Sequence, residues 1–181
     1  MDVGTWIFGY GSLLWNPGFP FRNTCVVYAD GFARRFYQGS TDHRGTPKAP
    51  GRVVTLVQDQ MSTCWGLAYH VPPDKLRSTI SYLDHREKGG FTKKRLNLNS
   101  IKQHRRIRNA VTYVASPSNP NYLGTCNTSE MAQQIYAAAG PSGTNREYLF
   151  KLSSTLRKIG AFDAHVFDLE RSVRKLEMGK S

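Results

Sequence analysis

The sequence predicts an α+β fold in which a sheet or small barrel is flanked by helices. Three observations lead to this prediction. Short apolar runs separated by turn residues dominate the first 115 residues, a pattern typical of strands. One segment with helical periodicity interrupts them after Pro73, and further helical segments follow Thr128. Strands first and helices last favour an α+β arrangement over a regular alternation of the two.

The length and composition predict a single domain over residues 1–181. Hydrophobic residues make up 39% of the 181 residues, which is enough for a substantial core, and no long linker or internal repeat divides the chain. The three cysteines, Cys25, Cys64 and Cys126, are widely spaced and suit a reducing compartment. Because no secretory signal or 18-residue apolar run is present, we expect a cytoplasmic protein without a membrane span.

The strands are predicted from short apolar or alternating runs. The first, Trp6–Phe8, leads directly into the glycine-rich sequence Gly9-Tyr10-Gly11-Ser12. The other predicted strands are Thr24–Tyr28, Gly31–Tyr37, Val53–Val57, Trp65–Val71, Phe91–Leu98 and Ile107–Ala115. Asp30-Gly31 and Asp59–Ser62 are interpreted as hairpin turns, and Gln38–Gly51 as a long polar loop.

The first helix is predicted to start at Pro73-Asp74, because proline and an acidic residue both favour a first turn. Gly89-Gly90 is expected to end it, which places Glu87 in the last turn or just past it. The later helices are predicted to be capped by Thr128 or Ser129, by Asn145 and by Asp163.

The net charge of +12 is unevenly distributed. No acidic residue lies between Glu87 and Glu130, whereas the run Lys93–Arg108 is rich in lysine and arginine. Such a run is either a solvated face or a surface that attracts anions. It lacks the interleaved aromatic residues of a platform for single-stranded nucleic acid, so we expect no nucleic-acid partner.

The common catalytic motifs are missing from the sequence. It contains no G-x-S-x-G elbow, Walker A loop, G-x-G-x-x-G or H-E-x-x-H, and its five histidines form no metal-ligand spacing with the cysteines. We therefore expect neither a cofactor nor a metal.

Glu87 and the glycine-rich turn are the main candidates for chemistry. A carboxyl near a helix C-terminus faces the negative end of the helix dipole, which is expected to raise its pKa toward the neutral range that suits a general acid/base. Glu87 could equally be an exposed residue paired with Arg86 or Lys88. The turn could present backbone N–H groups and the Ser12 hydroxyl to an anion, or could only connect two elements. Asp42-His43-Arg44 could bind an anion or only stabilise its own loop.

Taken in order, several motifs resemble the ChaC-type γ-glutamylcyclotransferases, in particular their glutathione-specific branch. The match covers nearly the whole chain and departs from the family at Lys102–Arg108 and Ala115–Ser118. The matching segments are Trp6–Trp15, Arg34–Phe36, Gln38–Gly45, Pro50–Leu56, Tyr82–Asp84 with Arg86–Gly90, Asn119–Gly124, Ala138–Gly143 and Glu147–Leu149.

The resemblance implies a small mixed β-barrel flanked by helices, of the γ-glutamylcyclotransferase-like fold. It implies cleavage of glutathione to 5-oxoproline and cysteinylglycine, with Glu87 as general acid/base and no cofactor. The implied substrate-binding residues are Ile7, Phe8, Gly9, Tyr10, Gly11, Ser12 and Leu13.

Two alternatives stay open at this point. The enzyme could act on other γ-glutamyl amides or γ-glutamyl amino acids. Alternatively, the chain could be a basic module that binds nucleic acid or an anionic surface through Lys93–Arg108.

Overall fold

A closed five-stranded barrel and four α-helices form the framework of the chain. The structure is a computed structural model that describes residues 4–100 and 105–179. The barrel strands are β1 (Thr5–Gly9), β2 (Asn23–Ser40), β3 (Gly51–Val71), β4 (Phe91–Ser100) and β5 (Arg105–Ala115), joined in the order β1-β3-β2-β4-β5. The helices are α1 (Pro73–Arg86), α2 (Thr128–Ala137), α3 (Asn145–Lys158) and α4 (Ala164–Met178). A two-stranded sheet consists of β6 (Ala139–Gly140) and β7 (Gly143–Thr144).

The barrel is mixed because β1 and β5 run parallel, with Ile7 opposite Val111, whereas β1–β3 and β4–β5 are antiparallel. The Thr112 hydroxyl adds a hydrogen bond of 3.0 Å to the Phe8 carbonyl, which joins the two parallel strands through a side chain. The α+β barrel flanked by helices, expected from the sequence and its resemblance, is thus confirmed.

The chain forms two compact units, the first consisting of Met1–Ala33 and Leu56–Ala115 and the second of Arg34–Thr55 and Ser116–Ser181. In the first unit, α1 packs on one face of the barrel through the fully buried Leu83 and the partly buried Ile80. The barrel side chains in this core include Ile7, Tyr69, Val71, Val111 and Tyr113. Whether residues 1–181 behave as one domain stays a prediction.

In the second unit, α2, α3 and α4 share an apolar core that includes Met131, Ile135, Leu149, Leu152, Leu156, Leu169 and Val173. Two buried arginines organise its polar contacts. Arg34 forms an ion pair of 2.7 Å with Asp163. Arg52 donates to the carbonyls of Phe36 and Gly124, at 2.9 Å each, and to the side chain of Gln134 at 2.6 Å.

Both predicted hairpin turns inside the barrel strands are wrong. Asp30-Gly31 lies within β2, and Asp59–Ser62 lies within β3. Gly31 has a positive φ of 78°, a conformation that glycine adopts without steric cost and that is typical of a bulge in a strand. Because bulges bend strands, turn residues at such points mark curvature of a long strand rather than its end.

Two predicted helix caps are also wrong by one residue. Asn127, and neither Thr128 nor Ser129, caps α2 by accepting the Glu130 N–H. Thr144 caps α3, and the buried Asn145 side chain instead pairs with the backbone of Arg52, accepting its N–H and donating to its carbonyl. The predicted cap at Asp163 is confirmed.

Candidate active site

The glycine-rich turn leaves the barrel at the end of β1. Ile7 and Phe8 are buried within the strand, which ends at Gly9. The Tyr10 hydroxyl donates a buried hydrogen bond of 2.6 Å to the Tyr113 carbonyl on β5. A short 3₁₀ helix, Ser12–Leu14, then reverses the chain direction. Both sides of Gly11 are therefore held by contacts within the first unit.

Gly9 allows the turn to fold back on the strand. A methyl group at this position would lie 2.7 Å from the Leu13 Cβ, closer than real side-chain contacts permit. The same methyl group would also lie 3.3 Å from the Tyr69 ring. Glycine at position 9 is thus required by the close approach of Leu13.

The Leu13 carbonyl is fixed by Tyr69, whose hydroxyl donates a buried hydrogen bond of 2.6 Å to it. Burial raises the pKa of Tyr69 to about 12, so its hydroxyl stays protonated and remains a donor at neutral pH. The first hydrogen bond of the 3₁₀ helix runs from the Leu14 N–H to the Gly11 carbonyl. Because the N–H groups of Ser12 and Leu13 come before Leu14, the hydrogen bonds of the 3₁₀ helix give them no acceptor.

Arg86 joins the last turn of α1 to this loop. Its Nη2 donates to the Ser12 hydroxyl oxygen at 2.8 Å. Its Nη1 donates to the Asn16 carbonyl at 2.7 Å, with the Pro17 carbonyl at 3.3 Å and the Tyr82 hydroxyl at 3.1 Å. One guanidinium therefore contacts both the last residue of the glycine-rich turn and the segment that follows it.

Glu87 immediately follows α1, where the sequence placed it. Its N–H donates to the Leu83 carbonyl at 2.9 Å as the C-cap of the helix. Its carboxylate lies 3.6 Å from the Nε of Arg86, and the side chains of both residues are less than one-fifth exposed. Because Arg86 also binds Ser12, the structure brings the predicted acid/base to the glycine-rich turn through one shared side chain.

Tyr113 also connects the glycine-rich turn to helix α1. Its carbonyl accepts from Tyr10, and its hydroxyl donates to the Asp84 carboxylate at 2.6 Å. Burial, the hydrogen bond to Asp84 and the negative charges of Asp84 and Glu87 all raise the pKa of Tyr113. The bond from Tyr113 and the nearby Lys93 lower the pKa of Asp84 against the opposing effect of burial. The Tyr113 hydroxyl is therefore a firmly protonated neighbour of the charge on Glu87.

Comparison with known proteins connects this geometry to a family. The model of the family described as "ChaC-like protein" matches residues 5–176. The chain belongs to this family. It is 43% identical over 180 residues to "Gamma-glutamylcyclotransferase 2-3" of Arabidopsis thaliana, and the match covers 96% of this chain and 90% of the plant protein. The resemblance identified from the sequence is confirmed.

Other relatives of this ChaC-like chain carry more specific names. It is 42% identical over 165 residues to the human "Glutathione-specific gamma-glutamylcyclotransferase 1", which covers 89% of this chain and 74% of the human protein. The crystal structure of a γ-glutamyl cyclotransferase specific to glutathione from yeast superposes with a TM-score of 0.88 at 29% identity, covering 95% of this chain and 96% of the yeast chain.

Sequence reasoning did not predict Tyr69, Asp84, Arg86 or Tyr113 as parts of the candidate site. Tyr69 and Tyr113 lie on β3 and β5, far from Glu87 in sequence, so only the barrel register brings them near α1. Arg86 was considered only as an ion-pair partner of Glu87. Its position one residue before Glu87, in the same motif, was the available signal.

The second cluster, Asp42-His43-Arg44, lies in the second unit and takes part in local contacts. Arg44 forms an ion pair of 2.9 Å with Glu147 and donates to the Thr144 carbonyl at 3.2 Å. His43 Nδ1 and the Ser142 hydroxyl lie 3.1 Å apart. These contacts hold the polar loop against β7 and α3, as expected for the structural interpretation.

The basic run lies on β4 and β5, and Lys102 falls outside the described residues. Lys93 forms an ion pair of 3.2 Å with Asp84, and Arg95 donates to the Asn109 carbonyl at 3.3 Å. Strand β5 begins two residues before the predicted strand Ile107–Ala115, so Arg105 and Arg106 belong to it. Lys94, Arg106 and Arg108 are exposed.

Residues 4–100 and 105–179 contain no group of three or more histidine, cysteine, aspartate or glutamate side chains arranged to hold a metal ion. A reaction without cofactor or metal stays a prediction. None of the helices in the same residues has the length and apolar character that a membrane span requires.

Proposed function

We propose that this chain is a glutathione-specific γ-glutamylcyclotransferase that releases 5-oxoproline and cysteinylglycine. Membership of the ChaC-like family supports the reaction class, and the names of the human and yeast relatives support glutathione as the substrate. The observation that supports the site most directly is the 2.8 Å hydrogen bond from Arg86 to Ser12. It ties the helix end that carries Glu87 to the glycine-rich turn. The basic binding module is not favoured, because the relatives are named as enzymes.

The substrate supplies its own nucleophile. The α-amine of the γ-glutamyl group attacks the γ-carbonyl carbon, a new C–N bond closes a five-membered lactam, and the original amide C–N bond to cysteine breaks. Water is not a reactant. Because the attack is intramolecular, holding the substrate in its bent form lowers the barrier by an amount on the order of 7–11 kcal/mol at best.

Glu87 moves the proton in this mechanism. Its carboxylate takes a proton from the α-ammonium group, which frees the lone pair for attack, and returns that proton to the departing cysteinyl nitrogen. The second proton that the new lactam nitrogen loses leaves through the same carboxylate, and the released cysteinylglycine amine becomes an ammonium group. Such a positioned acid/base contributes roughly 10²–10⁴-fold to the rate.

The segment from Ile7 to Leu13 holds the γ-glutamyl group. Ile7, Phe8 and Tyr10 are buried and fix the segment to the barrel, whereas Gly11 and Ser12 are partly exposed. The N–H groups of Ser12 and Leu13, which precede the first bond of the 3₁₀ helix, bind the α-carboxylate or the developing oxyanion. Burial and the neighbouring carboxylates raise the pKa of Tyr113, so its hydroxyl stays protonated at neutral pH and does not compete with Glu87 as a base.

Incubation of the purified protein with glutathione tests the proposal. We expect equal amounts of 5-oxoproline and cysteinylglycine by mass spectrometry, and a loss of kcat for Glu87→Gln of about 10²–10⁴-fold. Glu130→Gln, which alters an exposed glutamate of α2, is the matched control and should keep the wild-type rate. Absence of product from the wild-type protein contradicts the activity, whereas a fully active Glu87→Gln variant contradicts only the assignment of Glu87.

Comparing kcat/KM for glutathione with that for other γ-glutamyl amides and γ-glutamyl amino acids tests substrate specificity. We expect glutathione to be preferred.

A cytoplasmic location and a single cooperative domain belong to the same proposal. The wide spacing of Cys25, Cys64 and Cys126 supports the location, and a single unfolding transition is the expected sign of one domain.

A further inference from the structure

Arg86 pairs with Glu87, but most of its contacts are with Ser12 and the segment that follows it. Its Nη1 and Nη2 groups reach Ser12, Asn16, Pro17 and the hydroxyl of Tyr82, while its Nε faces the Glu87 carboxylate. A guanidinium has five N–H donors fixed in one plane. The orientation of that plane therefore determines the direction of every hydrogen bond that Arg86 donates.

The contacts divide into two groups. Those to Ser12 and to the Asn16 and Pro17 carbonyls fix the loop that follows β1, and two of them are 2.8 Å or shorter. The contact to Glu87, at 3.6 Å, is electrostatic and lies between side chains that are 16% and 18% exposed. At this degree of burial the pair is screened by solvent less than a surface pair would be.

The charge of Arg86 also offsets an unfavourable position. Glu87 caps the C-terminus of α1, where the helix dipole and the unsatisfied carbonyls disfavour a negative charge. A cation beside the carboxylate favours its ionised form, which is the form that accepts a proton from the substrate amine. Tyr113 of β5 also faces Glu87, and because its pKa is raised it stays neutral and adds no charge.

We propose that Arg86 is a positioning residue for the reaction. It fixes the Ser12–Pro17 segment relative to Glu87, and it keeps the Glu87 carboxylate ionised before the substrate amine is deprotonated. The second part rests on the proposed function, whereas the first concerns the loop alone. If Arg86 served only the stability of the fold, its replacement would lower the melting temperature but leave the local order of the loop and the pH profile of the folded enzyme unchanged.

Two variants separate the effects of geometry and charge. Arg86→Lys keeps a cation but cannot reproduce the planar set of donors, and Arg86→Gln removes the charge as well. Arg77 is an exposed arginine on the same helix, so Arg77→Lys and Arg77→Gln are matched controls. All four variants are compared with the wild-type protein well below their melting temperatures.

The first readout is hydrogen exchange of the amides of Leu14, Trp15 and Asn16, which are bonded within the 3₁₀ turn in the wild-type structure. We expect both Arg86 variants to exchange at least about tenfold faster at these amides, because local opening becomes easier. The Arg77 variants should match the wild-type protein. Unchanged exchange in Arg86→Gln overturns the first part of the proposal, whether or not the protein turns over glutathione.

The second readout is kcat/KM for glutathione as a function of pH. Without the cation the ionised carboxylate is less favoured, so the acidic limb of the profile should move to higher pH in Arg86→Gln and stay near the wild-type position in Arg86→Lys. An acidic limb that does not move in Arg86→Gln overturns the electrostatic part. A wild-type protein that forms no 5-oxoproline contradicts the proposed function and, with it, this second part, whereas hydrogen exchange still decides the first part.

Discussion

The Tyr113 hydroxyl donates a 2.6 Å hydrogen bond to the Asp84 carboxylate, which links strand β5 to the exposed side of helix α1. The bond holds the pKa of Asp84 below its ordinary value, and Lys93 acts in the same direction. A carboxyl whose pKa is lowered by folding stabilises the protein at neutral pH, and this contribution is lost as the pH falls through the folded-state value.

Tyr113→Phe should therefore change the pH dependence of stability. Without the hydroxyl, we expect the pKa of Asp84 to rise toward its ordinary value, so the variant should lose less stability on acidification than the wild-type protein does. Urea unfolding at neutral and acidic pH measures the difference. Asp74→Asn, which alters an exposed carboxyl at the other end of α1, is the control. If the difference in the free energy of unfolding between Tyr113→Phe and the wild-type protein stays constant with pH, Tyr113 does not lower the pKa of Asp84.

Gly9→Ala should destabilise the glycine-rich turn. The new methyl group would lie 2.7 Å from the Leu13 Cβ, and relief of such overpacking costs about 1–3 kcal/mol in the free energy of unfolding. Gly89→Ala is the matched control, since a methyl group there meets nothing within 4 Å. Equal melting temperatures for Gly9→Ala and the wild-type protein would show that Leu13 can move away.

Glu170 joins α4 to α3 in the second unit. It accepts hydrogen bonds from Ser153 and Arg174 and pairs with Arg157, while its side chain is 9% exposed. Burial alone would raise the pKa of Glu170, but these hydrogen bonds outweigh it and the net shift is downward. The carboxylate therefore stabilises the folded chain at neutral pH, and acid removes that contribution.

Glu170→Gln should lower the free energy of unfolding by about 1–3 kcal/mol at neutral pH, because hydrogen bonds to a charged group are lost. The deficit should shrink at pH values below the ordinary glutamate value of about 4.3. Asp168→Asn, on the same helix, removes an exposed pair with Arg171 and should cost at most about 1 kcal/mol. Similar losses for both variants would rule out a special role of Glu170.

The fold class could be predicted because the spacing of apolar residues and the positions of turn residues are local signals. Together they gave the order of strands and helices along the chain, which indicates an α+β fold. The same local signals failed at Asp30-Gly31 and Asp59–Ser62, where residue types that favour turns lie inside the long strands β2 and β3. Barrel closure, which requires these long curved strands, is a non-local property that no short window of sequence contains.

The candidate site shows the same division. Glu87 and the segment from Ile7 to Leu13 could be predicted from the sequence because each lies in one continuous motif. Tyr69 and Tyr113 were not predicted, because their roles depend on strand pairings, which place Tyr69 opposite Ile7 and Tyr113 opposite Lys93 and which no continuous motif contains. Asn145 was predicted as a helix cap from its residue type, but its buried amide satisfies the backbone of Arg52, a partner 93 residues away.

The peptide group between Leu13 and Leu14 has both of its polar atoms occupied. Its carbonyl oxygen accepts from the Tyr69 hydroxyl, and its N–H donates to the Gly11 carbonyl. The two preceding peptide groups are held as well, because the Gly11 carbonyl accepts from Leu14 and the Ser12 carbonyl accepts from Trp15 and Asn16. The N–H groups of Ser12 and Leu13, which belong to those two peptide groups, are therefore oriented by the protein itself. A ligand that uses those N–H groups would meet a rigid receptor, and its binding would carry little entropic penalty from loop ordering.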